Sequence, residues 1–307
     1  MKILIIGGSG FIGKSLCSRL CNSGLYVTTI SRSPIPALHK RHKHEDLTLD
    51  NTHEIKKLVK SASYIFHLAS DTTPGSSKLQ PSLEANNNIF PTFRLLELLQ
   101  DIKSPPIIYC SSGGAIYNTN ASSPYDESSQ LKPISYYGAG KLAIENFFSA
   151  YSHQTKNPAI ILRPSNVYGP GQRTKKQFGV IPTIFNSISK NLPFEIWGSG
   201  EDIRDYIYIE DFLDLCFLII QRKWERETLE TYNVGSGIGH SIIDICNISE
   251  KTSKKKLNKI FMPSRGIDNP ITILNCKKAT SEFNWKAKTP LKKGLESTWS
   301  WIERDQA

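Results

Sequence analysis

Three glycines spaced three apart, Gly7, Gly10 and Gly13, stand between a continuous apolar stretch, Lys2–Ile6, and a stretch with helical apolar spacing, Phe11–Asn22. A glycine directly after a strand permits a tight turn at positive φ. A second lets another molecule approach the backbone, and a third lets the helix pack closely on the strand. The helix then aims unpaired N–H groups and the positive end of its dipole at the turn, a place suited to a pyrophosphate. Its position after a strand and before a helix is what gives such a glycine pattern its meaning.

The rest of the first half repeats that alternation. Residues 26–30 are β-branched, residues 63–68, 107–110 and 159–162 read as buried strands, and residues 83–100 and 137–151 carry helical patterns between them. Strands alternating with helices make βαβ units, so the fold class expected is α/β with a doubly wound parallel sheet. After Arg163 the pattern loosens: residues 163–177 are rich in Pro, Gly and polar residues, as a ligand-facing loop is. The expectation is a dinucleotide-binding domain over residues 1–170, joined by 205–240. A smaller substrate-binding lobe takes residues 171–204 and 241–307.

Composition excludes several classes. With 307 residues and 39% hydrophobic content the chain has enough material for one or two cores, so disorder is not its main state. The net charge of +10 admits nucleic acid, anionic membrane or phosphorylated small molecules. The Lys-rich run 251–259 lacks interleaved aromatics and reads as a solvated helix face, so no nucleic-acid partner is expected. No segment approaches the roughly 18 apolar residues of a membrane span, and the start lacks a signal-peptide core. A cytoplasmic protein without a membrane partner is expected. The six cysteines form no CxxC pair, so they read as reduced thiols with no metal.

Two further features carry chemistry. The second strand ends at Ser31 and Arg32, where a site for NAD places an Asp or Glu on the ribose hydroxyls. A hydroxyl and a cation suit a 2′-phosphate instead, so NADP(H) is the preferred cofactor and NAD(H) the alternative. Tyr137 and Lys141 lie four apart, on one face of a helix. An ammonium beside a phenol favours phenolate, and the Tyr can then exchange a proton with a hydroxyl or carbonyl.

With these in place the chain resembles the extended short-chain dehydrogenases/reductases, in the branch of nucleotide-sugar epimerases, dehydratases and reductases. The likeness runs through the glycine loop with Phe11 and Ile12, His67-Leu68-Ala69, Asn88, Ser111 to Tyr117, the Tyr137/Lys141 pair, Arg163 to Pro170, Trp197 to Gly200 and Arg204 to Ile207. It implies a Rossmann fold in which Gly7, Gly10, Phe11, Ile12, Gly13, Ser31, Arg32, Ala69 and Asn88 meet the dinucleotide. It further implies that Tyr137 is the acid/base and that Lys141 binds the nicotinamide ribose. Asn166 and Arg204 would hold the diphosphate of a nucleotide-diphosphate sugar, with Arg265 and Asp268 completing the phosphate and ribose contacts. Residues 83–100 and 137–151 resemble the helices through which the family forms homodimers.

One departure bears on the reaction. Many relatives carry a Ser or Thr where this chain has Gly113; Ser112 is adjacent, but on an extended chain neighbouring side chains point oppositely, so the second hydroxyl is left between Ser111, Ser112 and a loop hydroxyl such as Thr72. Two activities share these residues: a 4-ketoreductase of a nucleotide-activated 4-dehydro-6-deoxyhexose, dTDP-linked for example, and a UDP-glucose/UDP-galactose-type 4-epimerase with tightly bound NAD. Arg32 favours NADPH and hence the reductase. A non-catalytic dinucleotide-binding protein is the remaining alternative, and the intact Tyr137/Lys141 pair argues against it.

Overall fold

The computed structural model describes residues 1–100, 102–119, 122–174, 179–264 and 270–306. In chain order the elements are β1 Lys2–Ile6, α1 Phe11–Asn22, β2 Tyr26–Ser31, β3 His42–Asp46, α2 Thr52–Ser61, β4 Tyr64–His67, α3 Pro81–Glu84, a π-helical turn Ala85–Ile89, α4 Phe90–Gln100, β5 Ile107–Cys110, α5 Tyr136–Thr155 and β6 Ala159–Pro164. There follow β7 Asn166–Tyr168, α6 Val180–Lys190, β8 Phe194–Trp197, β9 Ile203–Tyr208, α7 Ile209–Gln221, β10 Leu229–Val234, β11 Gly239–Ser241, α8 Ile242–Ser253, β12 Lys259–Met262, β13 Ile271–Thr272, α9 Lys277–Phe283 and α10 Leu291–Gln306.

Seven strands form one sheet in the order β10-β6-β5-β4-β1-β2-β3. The pairings of β1 with β2 and β4, of β2 with β3, and of β5 with β4 and β6 are all parallel. Parallel strands are covered on both faces, and accordingly every residue of β4, β5 and β6 is buried. From α2, α4 and α5, Ile55, Leu95, Leu96, Leu99, Ile144 and Phe148 pack into one core with Leu4, Ile65, Ile107 and Ile161 of the sheet. Chain direction across the sheet reverses between β1 and β4, and the crevice beyond the carboxyl ends of such a pair is where open α/β sheets bind ligands.

The chain divides into two compact units. The first comprises Met1–Ile116, Pro133–Arg163 and Leu215–Tyr232; the second comprises Tyr117–Lys132, Pro164–Asp214 and Asn233–Ala307. The division differs from the boundaries expected from sequence, which gave 117–132, 164–170, 205–214 and 233–240 to the first domain. Polar bonds at long sequence separation are the reason. The Tyr117 hydroxyl donates to Asn233 Oδ1 at 2.6 Å, the Asn233 amide donates to the Tyr125 carbonyl at 2.9 Å, and the Asn233 backbone N–H donates to Glu127 Oε1 at 2.7 Å. The buried Asp205 carboxylate accepts from the backbone of Ser236, Gly237 and Leu274 and from the hydroxyls of Ser165 and Ser236, so it pins β9 to these loops.

The second unit has its own core, in which Ile181, Ile184 and Phe185 of α6, Ile245 of α8 and Leu295 and Trp299 of α10 pack together. Around β9 run β7 and β13 in parallel and β11 antiparallel, while β8 and β12 pair separately. No helix among the described residues is long and apolar enough to cross a membrane.

Candidate active site

Each of the three spaced glycines after β1, Gly7, Gly10 and Gly13, has its own physical reason. Gly7 has φ +95°, and a Cβ there would lie 2.6 Å from the Ala69 backbone nitrogen, so the turn is pressed against the chain leaving β4. A Cβ on Gly13 would lie 2.3 Å from the Gly7 carbonyl oxygen, which is the close packing of α1 on the turn. Gly10 differs: its nearest neighbour to a built Cβ is the Gly7 oxygen at 3.4 Å, so the space beside it lies open. Gly10 is also the N-cap of α1, with no side-chain cap and no acidic residue in the first turn. The N–H groups of Phe11, Ile12 and Gly13 therefore keep their donor capacity for a bound anion. These residues fit a dinucleotide pyrophosphate. Gly13→Ala is expected to cost about 1–3 kcal/mol by overpacking backbone on backbone and to weaken dinucleotide binding; thermal unfolding and a binding titration check both.

The end of β2 differs from its sequence reading. Ser31 turns its hydroxyl to the Ser33 carbonyl at 2.9 Å. Arg32 is not free to meet a 2′-phosphate, because its guanidinium is paired with Asp71 in the loop after β4. Asp71 also accepts from the Asn87 amide at 2.7 Å, and its backbone N–H donates to Asn88 Oδ1 at 2.8 Å. Asn88, expected at the dinucleotide, is buried and organises the loop that carries Asp71 and Thr72.

Tyr137 and Lys141 lie on the first turns of α5, whose N-cap Ser135 accepts from the Gly138 N–H. The Lys141 ammonium is buried, donates to the Cys110 carbonyl at 3.0 Å and sits 5.6 Å from the centre of the Tyr137 ring. Burial holds the Tyr137 phenol above its usual range, with the thiol of Cys110 and the carboxylate of Glu84 pushing the same way and a hydrogen bond from Ser112 opposing them. Ser112 thus reaches the phenol although Gly113 fills the family's hydroxyl position. The chain turns directly after β5, so the alternation of an extended strand does not apply to residues 111–116. Ser111 Oγ is buried without a hydrogen-bond partner. The Thr72 hydroxyl donates to Glu84 and accepts from the Asn88 amide, so it has no proton left to offer a substrate.

Glu84 escaped the sequence reading. It is buried, accepts from Asn88 Nδ2 at 3.0 Å, and occupies the space that Gly140 leaves, where a Cβ would stand 2.3 Å from Glu84 Oε1. Burial pulls the Lys141 amine below its usual pKa, while Cys110, Glu84 and Glu145 favour its charged form. The only signal of Glu84 in sequence was its place one turn before Asn88. His67 is held neutral: burial, then the Lys141 charge, lower its pKa to about 3.

In the second unit, Asn166 donates to the Asp205 carbonyl at 2.9 Å, and Arg204, one residue before that buried carboxylate, donates to the Ile203 carbonyl at 3.0 Å. Arg265 and Asp268 lie outside the described residues.

Comparison with known proteins gives a consistent result. The model of the NAD dependent epimerase/dehydratase family matches residues 3–235. A dTDP-4-dehydro-6-deoxyglucose reductase of Escherichia coli is 30% identical over 96% of this chain and 95% of its own. A putative UDP-glucose 4-epimerase of Methanocaldococcus jannaschii is 28% identical over 99% of each. Among solved structures, a UDP-glucose 4-epimerase of Thermotoga maritima with UDP-glucose superposes with a TM-score of 0.92 at 26% identity, covering 100% of both chains. A UDP-glucuronic acid 4-epimerase of Bacillus cereus in complex with UDP-glucuronic acid and NAD gives 0.89 at 29% identity and 99% of both.

Proposed function

Since the chain belongs to the NAD-dependent epimerase/dehydratase family, we propose that it is a 4-ketoreductase of a nucleotide-activated 4-dehydro-6-deoxyhexose, dTDP-linked by its similarity to the Escherichia coli reductase. One observation carries this choice. The end of β2 bears no carboxylate, and among the described residues the acid bonded to Arg32 is Asp71, from another loop, in a pair whose side chains are 66% and 36% exposed. Such a grip on the adenosine end lets the dinucleotide leave. A net reductase must exchange its cofactor each turnover, whereas an epimerase oxidises and re-reduces one sugar and keeps it.

When bound, the dinucleotide supplies the hydride. Tyr137 gives its proton to O4 of the sugar as negative charge develops there, and the Ser112 hydroxyl steadies the phenolate left behind. Lys141 binds the nicotinamide ribose and, as an ammonium, favours the same phenolate. Asn166 and Arg204 hold the nucleotide diphosphate, for which a planar guanidinium is suited, with Arg265 and Asp268 on the phosphate and ribose. The expected preference for NADP draws no support from Arg32, whose charge Asp71 already balances; NAD(H) is the cofactor of this reading.

The second reading, a UDP-sugar 4-epimerase, is favoured by the solved neighbours, which carry that activity in their names. Denaturing the purified protein and assaying the supernatant for dinucleotide separates the two. An empty protein that takes up added NADH supports the reductase, and stoichiometric NAD surviving purification overturns it.

By family likeness the protein is a homodimer through α4 and α5, where Phe90 and Phe147 are 51% and 48% exposed and Phe93 touches both. A monomer in sedimentation velocity would remove that assignment. Six free thiols suit a reducing compartment such as the cytoplasm.

A further inference from the structure

We propose that Asp71 takes the place of the ribose-binding carboxylate that β2 lacks, so that the site selects NAD(H) over its 2′-phosphorylated form. This rests on the family's dinucleotide chemistry and is indifferent to which sugar reaction follows. β1 lies between β4 and β2 in the sheet. Arg32 follows β2 and Asp71 follows β4, so their ion pair spans the carboxyl end of β1, where the glycine loop starts. A dinucleotide with its pyrophosphate on α1 runs its adenosine ribose past that point toward β2.

The Asp71 carboxylate is held for this task. The Asn88 side chain fixes its backbone N–H, and the Asn87 amide holds one carboxylate oxygen at 2.7 Å while Arg32 takes the other. Each oxygen keeps lone-pair capacity for a ribose hydroxyl, and 36% exposure leaves it within a ligand's reach. A 2′-phosphate at the same place meets a carboxylate whose nearest cation is already paired, so the like charges repel. Two further acids lie near this edge on the outer strand β3: Asp46, the register partner of Ser31, accepts from His44 at 2.9 Å, and Glu45, the register partner of Ile30, pairs with Lys43.

The experiment titrates purified protein, freed of any bound dinucleotide, with NADH and NADPH by fluorescence, in the wild type and in the Asp71→Asn, Arg32→Ala and Asp46→Asn variants. The wild type is expected to bind NADH about tenfold more tightly than NADPH, a difference of about 1.4 kcal/mol. Asp71→Asn is expected to remove most of that preference, with NADPH binding gained. Arg32→Ala and Asp46→Asn are expected to keep it. An NADH to NADPH ratio unchanged in Asp71→Asn overturns the proposal. So does a wild-type preference for NADPH that Arg32→Ala abolishes, or a preference that moves with Asp46→Asn alone. Failure of both dinucleotides to bind overturns the dinucleotide site on which the proposal rests, an outcome distinct from any change in ratio.

Discussion

Tyr137→Phe is expected to lower turnover by about 10²- to 10⁴-fold, the contribution of one positioned acid or base, while the fold and dinucleotide affinity persist. The phenol hydroxyl is the only atom lost. In the structure it meets Ser112, and the ring rests on α5, packed beside Lys141, so the isosteric Phe keeps the packing. Steady-state rates with the 4-keto sugar, beside an NADH titration of the same preparation, check both halves. A rate within threefold of wild type would move the acid role to another group, and the non-catalytic reading would regain ground.

The second large effect falls on stability. Arg163 and Glu145 are 6% and 4% exposed and form a bidentate pair, the guanidinium donating through Nε at 3.2 Å and Nη2 at 2.7 Å. Removing one partner strands the other charge in the interior, so Arg163→Met or Glu145→Leu alone costs about 3–5 kcal/mol. The two together cost much less, because neither charge is left uncompensated. Urea unfolding of the singles and the double as a cycle reads the difference. Single variants that lose less than 1 kcal/mol would show that water reaches the pair and that it anchors little. The site shares this anchor, since Glu145 lies one turn beyond Lys141 on α5 and also favours the charged amine.

Local demands were legible in the sequence, and tertiary approaches were not. The glycine loop could be read because turn, open face and close helix contact are each met within a few residues of chain. The Tyr137/Lys141 pair was readable for the same reason, being fixed by helical spacing. Strand β3, with the sequence His-Lys-His-Glu-Asp, carries no apolar alternation and was missed. It forms because its backbone pairs with β2 and because His42 and His44 both bond the buried Thr29 hydroxyl at 2.8 Å. Strand β10, at the far edge of the sheet, was missed too. Ser112 depended on a turn that strand alternation does not describe. Asp71, on a loop, and Glu84, at the end of α3, are brought from elsewhere in the chain to the end of β2 and to the bare backbone of Gly140. The charge on Arg32 was read correctly as a cation, but its partner lies 39 residues away and no local pattern announces it.

The central claim, net reduction with cofactor exchange, is tested most directly by a hydride balance. Purified protein is mixed with a catalytic excess of NADH and a dTDP-linked 4-dehydro-6-deoxyhexose, and the loss of absorbance at the nicotinamide band is compared with the sugar product formed. The account predicts one NADH consumed for each sugar reduced through many turnovers, with UDP-glucose and UDP-galactose left unchanged. Interconversion of the two UDP-sugars with no net loss of NADH, and no reduction of the 4-keto sugar, would contradict it and assign the protein to the epimerases.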